Sequence, residues 1–350
     1  MEKFKKRVFG CAIVKANNSN YNADFSGQPR TLPSGVVYAT DKALKYSIKN
    51  YLKEFYPIDE FVFYFKRINE AKKEDAVPFS LMEAFCSRNP TLAEIVIPKS
   101  KKKEKKEDAE GGDDDTKGES KITVKLKASK PEVAKALLGC IDIRLFGATF
   151  AMKGAEKKDN VSVSIHGPVQ ITHGVNIWHE NNFYSEQIMS PFRNPNEASE
   201  DNSATTLGRQ SRLHEGHYLH HFSVNPKNLE EVVSLAGKDA KELTGDDIAK
   251  LKEALQKGVT YYDSAAKAGC ENELLIWVTL KENSKLVLPN FTQLMKMGKE
   301  KVDGKVQLDL SELKSVIETN AADIESVEIY LNKASIAIIN AHQNAAIKDI

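Results

Sequence analysis

Apolar residues occupy both alternating sets of Arg7–Val14 (RVFGCAIV). Val8, Gly10, Ala12 and Val14 fall on one face, and Phe9, Cys11 and Ile13 on the other. A strand apolar on both faces is a central one, covered on both sides or with one face given to binding. The next stretch, 16–35, is rich in Asn, Ser, Gly and Pro. It reads as a long loop of the kind that carries function, with Arg30 placed behind Pro29. Leu44, Ile48, Tyr51, Leu52 and Phe55 then follow the helical period, with Thr40 or Asp41 available as the cap. Glu60–Arg67 (EFVFYFKR) sets Phe61, Phe63 and Phe65 against Val62 and Tyr64, which predicts a strand. Pro131–Cys140 reads as a helix with Pro in its first turn. In 141–152 Arg144 sits in an apolar frame, where it needs a partner. Val161–Thr172 alternates and then bends at His166-Gly-Pro. His217–Val224 and Glu273–Leu280 read as strands, and Thr244–Gly269 as a helix capped by Thr244. The tail holds short strands, a helix near Ser311–Thr319 and a strand at Val327–Leu331.

Two stretches interrupt this order. Residues 68–129 read as an insertion whose middle, 99–121, is low-complexity and polar. That middle buries too little to fold and is expected to be a disordered loop, its lysines neutralised by the acidic run beside them. Residues 173–212 show few regular signals and read as a hairpin or arm. Without these insertions the order is strand, helix, strand, strand, strand, helix, strand. This α+β order approximates a ferredoxin-like or RRM-like core with an extra strand. Such cores bind RNA on the sheet or at its edge, although a fold alone decides no function.

Net charge changes the picture little. The 350 residues carry a formal charge of +1, so a basic surface must be local. One such surface is visible on the first helix. Lys42, Lys45, Lys49 and Lys53 form a stripe roughly 120° from the apolar face, at about 100° per residue, with no acid on the stripe to pair with. A solvated helix face would have the same pattern. Cys11, Cys86, Cys140 and Cys270 are scattered without a CxxC pair, which argues against a zinc ribbon or disulfide framework. With neither a signal peptide behind MEKFKKRVFG nor a membrane-length apolar run, a cytoplasmic protein with no membrane partner is expected. HEGH at His214–His217 has the wrong spacing for a zinc-protease helix, and His220 and His221 read as strand positions; no metal site is expected. No phosphate-binding glycine loop and no catalytic triad can be assembled. Asp24 could act as an acid or base, but loops hold aspartates for turn geometry.

Several stretches, in order over roughly residues 6–290, resemble the backbone subunit of type I CRISPR effector complexes (Cascade), specifically the type I-B form. They are NADFSGQPR (22–30), YATDKALKYSIKNYL (38–52), DIRLFGATFA (142–151), GPVQ (167–170), EQIMSPFR (186–193), TTLGR (205–209) and KAGCENELL (267–275). The resemblance implies an RRM-like palm (1–67, 159–172 and 213–350), a helical finger insertion (68–158) and a thumb hairpin (173–212). It implies a non-catalytic scaffold that binds guide RNA (crRNA), needs no cofactor and presents the guide for pairing with target DNA. Its further partners would be copies of itself stacked head to tail as a filament, and other Cascade subunits. The residues it offers to RNA are Arg30, Lys42, Lys45, Lys49, Gln170, Arg193, Arg209 and Arg212, with Met189 as a wedge between bases. Identical subunits on any guide should contact backbone and shape rather than base edges. The alternative is an RNA-cleaving subunit like the type III relatives, with a loop aspartate such as Asp24 as general base.

Overall fold

A computed structural model describes residues 2–69, 76–96, 123–152, 157, 160–180, 182–189 and 207–350; the polar loop expected at 99–121 and Arg193 lie outside the described residues. In chain order the elements begin with β1 (Val8–Ser19), β2 (Tyr38–Ala39), α1 (Asp41–Phe55), α2 (Leu81–Arg88), β3 (Ala93–Val96) and β4 (Thr123–Leu126). Next come α3 (Lys130–Leu138), α4 (Ile141–Phe146), β5 (Gly147–Met152), β6 (Val161–His166), β7 (Val169–Ile171), β8 (Gly174–Asn176), β9 (Phe183–Met189) and β10 (Leu207–Val224). The chain continues through α5 (Glu230–Ala236), α6 (Gly245–Tyr261), β11 (Cys270–Leu280), β12 (Lys296–Val302) and β13 (Lys305–Asp309). It closes with α7 (Ser311–Thr319), β14 (Ile324–Leu331), β15 (Ile336–Ile339) and β16 (Ala346–Asp349). Among the described residues no helix is long and apolar enough to cross a membrane.

The chain forms two compact units. One comprises Met1–Val62, Pro168–Asn228 and Leu243–Ile350; the other comprises Phe63–Gly167 and Leu229–Glu242. The first is built on a sheet of order β16-β14-β11-β1-β10-β8-β2, with β7 and β9 pairing other stretches of β10. β1 is antiparallel to both neighbours, so Gly10 faces Phe222 on one side and Trp277 on the other. Its double apolar alternation is used on both faces. Phe9, Cys11 and Ile13 join one core with Leu219, Leu274, Ile276 and Ile329, and with Phe291, Met297, Leu308, Leu313 and Ile336 from the C-terminal segments. The three-stranded sheet β12-β13-β15 and α7 therefore cover that face. On the other face Phe222 packs on Trp277, and the Lys252 ammonium of α6 lies 4.8 Å from the Trp277 ring centroid. α1 packs against α6, and Gly258 allows the approach: a Cβ there would lie 3.0 Å from the Ser47 carbonyl oxygen. Leu44, Ile48 and Leu52 are fully buried, as the helical period requires. Of the two expectations for β1, cover on both sides is the one realised.

In the second unit β3 pairs with β4 and β5 with β6. The expected strand at 60–67 does not form. The Phe63 and Tyr64 amides donate to the buried Asp142 carboxylate at 2.8 Å each, so side-chain oxygens take the bonds a neighbouring strand would have offered. Phe63 instead packs toward Phe150, which also meets Phe85. Buried Arg144 donates to the Leu138 carbonyl at 2.9 Å. Gly147 has φ +73° and its Cβ position lies 2.2 Å from the Ile165 carbonyl oxygen, so only glycine fits. The expected bend at His166-Gly-Pro is present: β6 pairs β5 and β7 pairs β10. β10 starts at Leu207, ten residues before the strand expected at His217, because its first part pairs only with β9 and buries little.

The tightest point of the first unit generates a prediction. A Cβ on Gly10 would lie 2.4 Å from the Ile276 carbonyl oxygen and 2.2 Å from the Phe222 ring, whereas one on Gly298 would meet nothing within 4 Å. Gly10→Ala should destabilise by about 1–3 kcal/mol and Gly298→Ala by well under about 1, measured as urea midpoints. Equal midpoints for the two variants would contradict this account of the central strand.

Candidate nucleic-acid interface

With both faces of the sheet occupied, the polar surface left to a ligand lies at its edge and in its loops. At that edge β2 pairs with β8, Tyr38 with Val175 and Ala39 with Gly174. α1 begins two residues later, so its lysines start at the edge strand. Asp41 is the focus there. Its backbone N–H donates to His173 Nδ1 at 3.3 Å, and its carboxylate accepts from Lys45 Nζ at 3.0 Å. Burial alone would raise the Asp41 pKa, but the Lys45 hydrogen bond and the charges of Lys45, His173 and Lys42 bring it below the usual carboxylate range. This corrects the expectation of a lysine stripe without acid: Asp41 lies on the same i, i+4 row as Lys45 and Lys49. Lys42 is exposed and Lys49 half-buried.

Thr40 precedes α1 in extended conformation but makes no side-chain cap bond. Its N–H and hydroxyl donate instead to Asn22 Oδ1 at 2.9 and 3.1 Å, which ties the first loop to the start of the helix. Arg30 sits on the other arm of that loop, with its N–H on the Asn22 carbonyl and its carbonyl receiving the Tyr38 N–H. Its Nε donates to the Ala23 carbonyl at 3.0 Å, and its guanidinium lies 5.7 Å from the Phe25 ring centroid. Asp24 closes the turn between them. Its Oδ1 accepts from the Ser26 hydroxyl (2.7 Å), the Ser26 N–H (2.8 Å) and the Gln28 N–H (2.9 Å). These bonds, the Ser26 hydroxyl foremost, lower the Asp24 pKa and keep the carboxylate ionised.

Underneath lies His220. The Thr172 carbonyl can only accept, so His220 Nδ1 carries the proton (3.0 Å) and Nε2 receives the Tyr21 hydroxyl (3.4 Å). A Cβ at Gly174 would strike this ring at 2.3 Å, which accounts for the glycine. Burial pulls the His220 pKa down to about 4, against the Thr172 bond and the Asp41 charge, which raise it.

The β9–β10 ribbon carries a second group. Every described residue of β9 is exposed, with Met189 at its end opposite Leu207. Arg209 is exposed opposite Gln187. Arg212 holds the base of the ribbon, donating to the Asn18 carbonyl (2.9 Å) and Gln210 Oε1 (3.1 Å), with Glu186 at 3.9 Å. Asn18 is in the left-handed region, φ 47°, and also receives the Tyr184 hydroxyl. Gln170 is exposed on β7 opposite Ser223.

The structure thus ties the Arg30 loop, through Asn22 and Thr40, to the helix start that carries Lys42 and Lys45, and carries Met189 and Arg209 on the ribbon. Sequence reasoning missed His173, Tyr38 and Phe25. His173 and Asp41 are 132 residues apart, and no local pattern links them. His217 and His221 of β10 are structural: His217 is buried against Glu273 at 2.5 Å and His221 accepts the Phe291 N–H. Among the described residues no group of His, Cys, Asp or Glu is arranged to hold a metal ion.

The family model for CRISPR-associated protein Cas7 matches residues 6–324. Among solved structures, a chain of a "CRISPR RNA-guided surveillance complex, pre-nicking" is similar in fold, with 14% identity and a TM-score of 0.53 over 98% of this chain and 96% of that one. A chain of a second "CRISPR RNA-guided surveillance complex" is 13% identical over 96% of this chain and 95% of that one, at a TM-score of 0.45. No curated protein matches the chain.

His220 makes the stability of this edge pH-dependent. Its folded pKa of about 4 lies below the unfolded value of about 6.5, so the unfolded chain takes the proton first as pH falls. Its contribution is intact above pH ~6.5 and is lost down to pH ~4, at up to about 1.4 kcal/mol per pH unit. His220→Gln should flatten the wild-type decline of unfolding free energy across that window in denaturant titrations at fixed pH. Parallel curves for the two proteins would remove His220 from this role.

Proposed function

The chain belongs to the CRISPR-associated Cas7 family, and we propose that it is the guide-RNA-binding backbone subunit of a type I surveillance complex, of the type I-B form. Copies stack head to tail along the crRNA beside other Cascade subunits and present the guide for pairing with target DNA. The observation that carries this reading is the Asn22–Thr40 link, which joins the Arg30 loop to the start of the Lys42 and Lys45 helix at the edge of a sheet whose central strand is covered on both faces. A groove at an edge grips backbone phosphates and leaves base edges free, which is what a subunit serving any guide requires.

We read the first unit as an RRM-like palm. The antiparallel order β11-β1-β10-β7/β8, with α1 and α6 on one face, supports this. The finger insertion is then 68–158 and the thumb 173–212, a range that begins with β8 of the sheet and includes the β9–β10 ribbon. Lys49 and Gln170 extend the phosphate contacts, Arg209 reaches from the thumb, and Met189 serves as a wedge. Arg212 is the strut that holds the thumb to Asn18. Arg193 belongs to the same set on resemblance alone.

The role is non-catalytic. Asp24 Oδ1 holds the Ser26 and Gln28 turn and its pKa is lowered, which makes the carboxylate a weaker proton acceptor than a general base tuned toward neutrality.

Purified chain should co-elute with small RNA of defined length. Replacing Lys42 and Lys45 with Ala should weaken RNA binding alike on unrelated sequences and lower the log–log salt slope by about 0.7 for each lost contact; an unchanged slope would take these lysines out of the groove. Wild-type chain and Asp24→Ala should both leave paired target RNA intact. Cuts at regular intervals by wild type, absent in the variant, would overturn the scaffold role in favour of the nuclease.

A further inference from the structure

We propose that Phe25 is a stacking platform for a nucleobase of the guide RNA, an inference that rests on the RNA-binding role above. Phe25 has a relative exposure of 103%, the highest of the large apolar side chains among the described residues. A phenyl ring left entirely in water forgoes the stabilisation that burial would bring. It is also held in place. The turn beneath it is closed by the three bonds to Asp24 Oδ1 and by the paired Asp24 N–H to Gln28 O (2.7 Å) and Gly27 N–H to Asp24 O (3.2 Å). Gly27 supplies the left-handed backbone, φ +83°. The foot of the loop is pinned by Asn22 to Thr40, at the start of the lysine helix. An exposed aromatic on a preorganised turn gives up little conformational entropy when it binds.

The chemistry around the ring favours a base over a protein pocket. An apolar anchor for a protein partner is normally set among other apolar groups. Around Phe25 the loop offers Asn22, Asp24, Ser26 and Gln28, and the Arg30 guanidinium lies 5.7 Å from the ring centroid. Arg30 Nε is committed to the Ala23 carbonyl, which orients the guanidinium and leaves its terminal nitrogens for an anion. A planar ring beside an oriented guanidinium can stack one base and hold the phosphate next to it, without preference for which base it is.

The test uses the full chain and a single-stranded RNA short enough for one copy, carrying 2-aminopurine at successive positions in a series. Phe25→Ala should bind roughly 5- to 150-fold more weakly, the span found when a stacking aromatic is truncated. Phe25→Trp should restore affinity. The salt slope should be unchanged in Phe25→Ala and lower by about 0.7 in Arg30→Ala, because only the second removes a charge. At one position of the series 2-aminopurine should be quenched by wild type and released by Phe25→Ala. The side chain is fully exposed, so the thermal midpoint of Phe25→Ala should match wild type and loss of folding will not imitate the result. Unchanged RNA affinity in Phe25→Ala overturns the proposal. If that variant binds the short RNA normally but no longer assembles on a long one, the proposal is equally overturned and Phe25 becomes a contact between copies. Failure of wild type to bind RNA at all would instead refute the RNA-binding role itself.

Discussion

Burial of one strand on both faces is the constraint on which the rest of this structure depends. β1 has no face to spare. Phe9, Cys11 and Ile13 are sealed beneath the C-terminal layer, while Gly10 and Ala12 stay small so that Phe222 and Trp277 can close over the opposite side. A four-stranded core of this kind often offers its helix-free face to RNA. Here that face is filled by Phe291, Met297, Leu308 and Leu313, and the proposed RNA contacts lie instead at the rim where β2 hands the chain to α1.

The rim also moderates its own charge. Asp41 takes up part of the field of Lys45 and, through its backbone, the ring of His173. An uncompensated lysine row would hold any polyanion strongly and non-specifically. One carboxylate among the cations lowers the local positive charge, and its hydrogen bond fixes the orientation of Lys45.

Much of this was legible in the chain. Period-2 and period-3.6 patterns marked β1, α1, α6 and β11, because burial of a regular face leaves a regular trace. The strand expected at 60–67 shows where that logic fails. Its alternation of aromatics was real, but Asp142, some 80 residues on, supplied the acceptors, and no local pattern carries that information. At the candidate site the lysines were visible because charge on a helix face is visible, and Arg30 because it stands behind Pro29 in a long polar loop. His173, Tyr38 and the pairing of Asp41 were not, since they come together only through the β2–β8 register. Phe25 was hidden differently: a single phenylalanine in a polar loop looks like a buried anchor until its exposure is known.

β10 spans 18 residues without interruption, pairing with β1 from Val224 down to Leu213 and with β9 from there to Leu207. At about 3.3 Å per residue it is a lever roughly 60 Å long whose fulcrum is the domain core. The ladder that sets the angle of the ribbon is the one that holds the central strand, so torque on the ribbon is resisted by the whole sheet rather than by a hinge. A ribbon built this way keeps its reach by stiffness, and that reach is set inside the core.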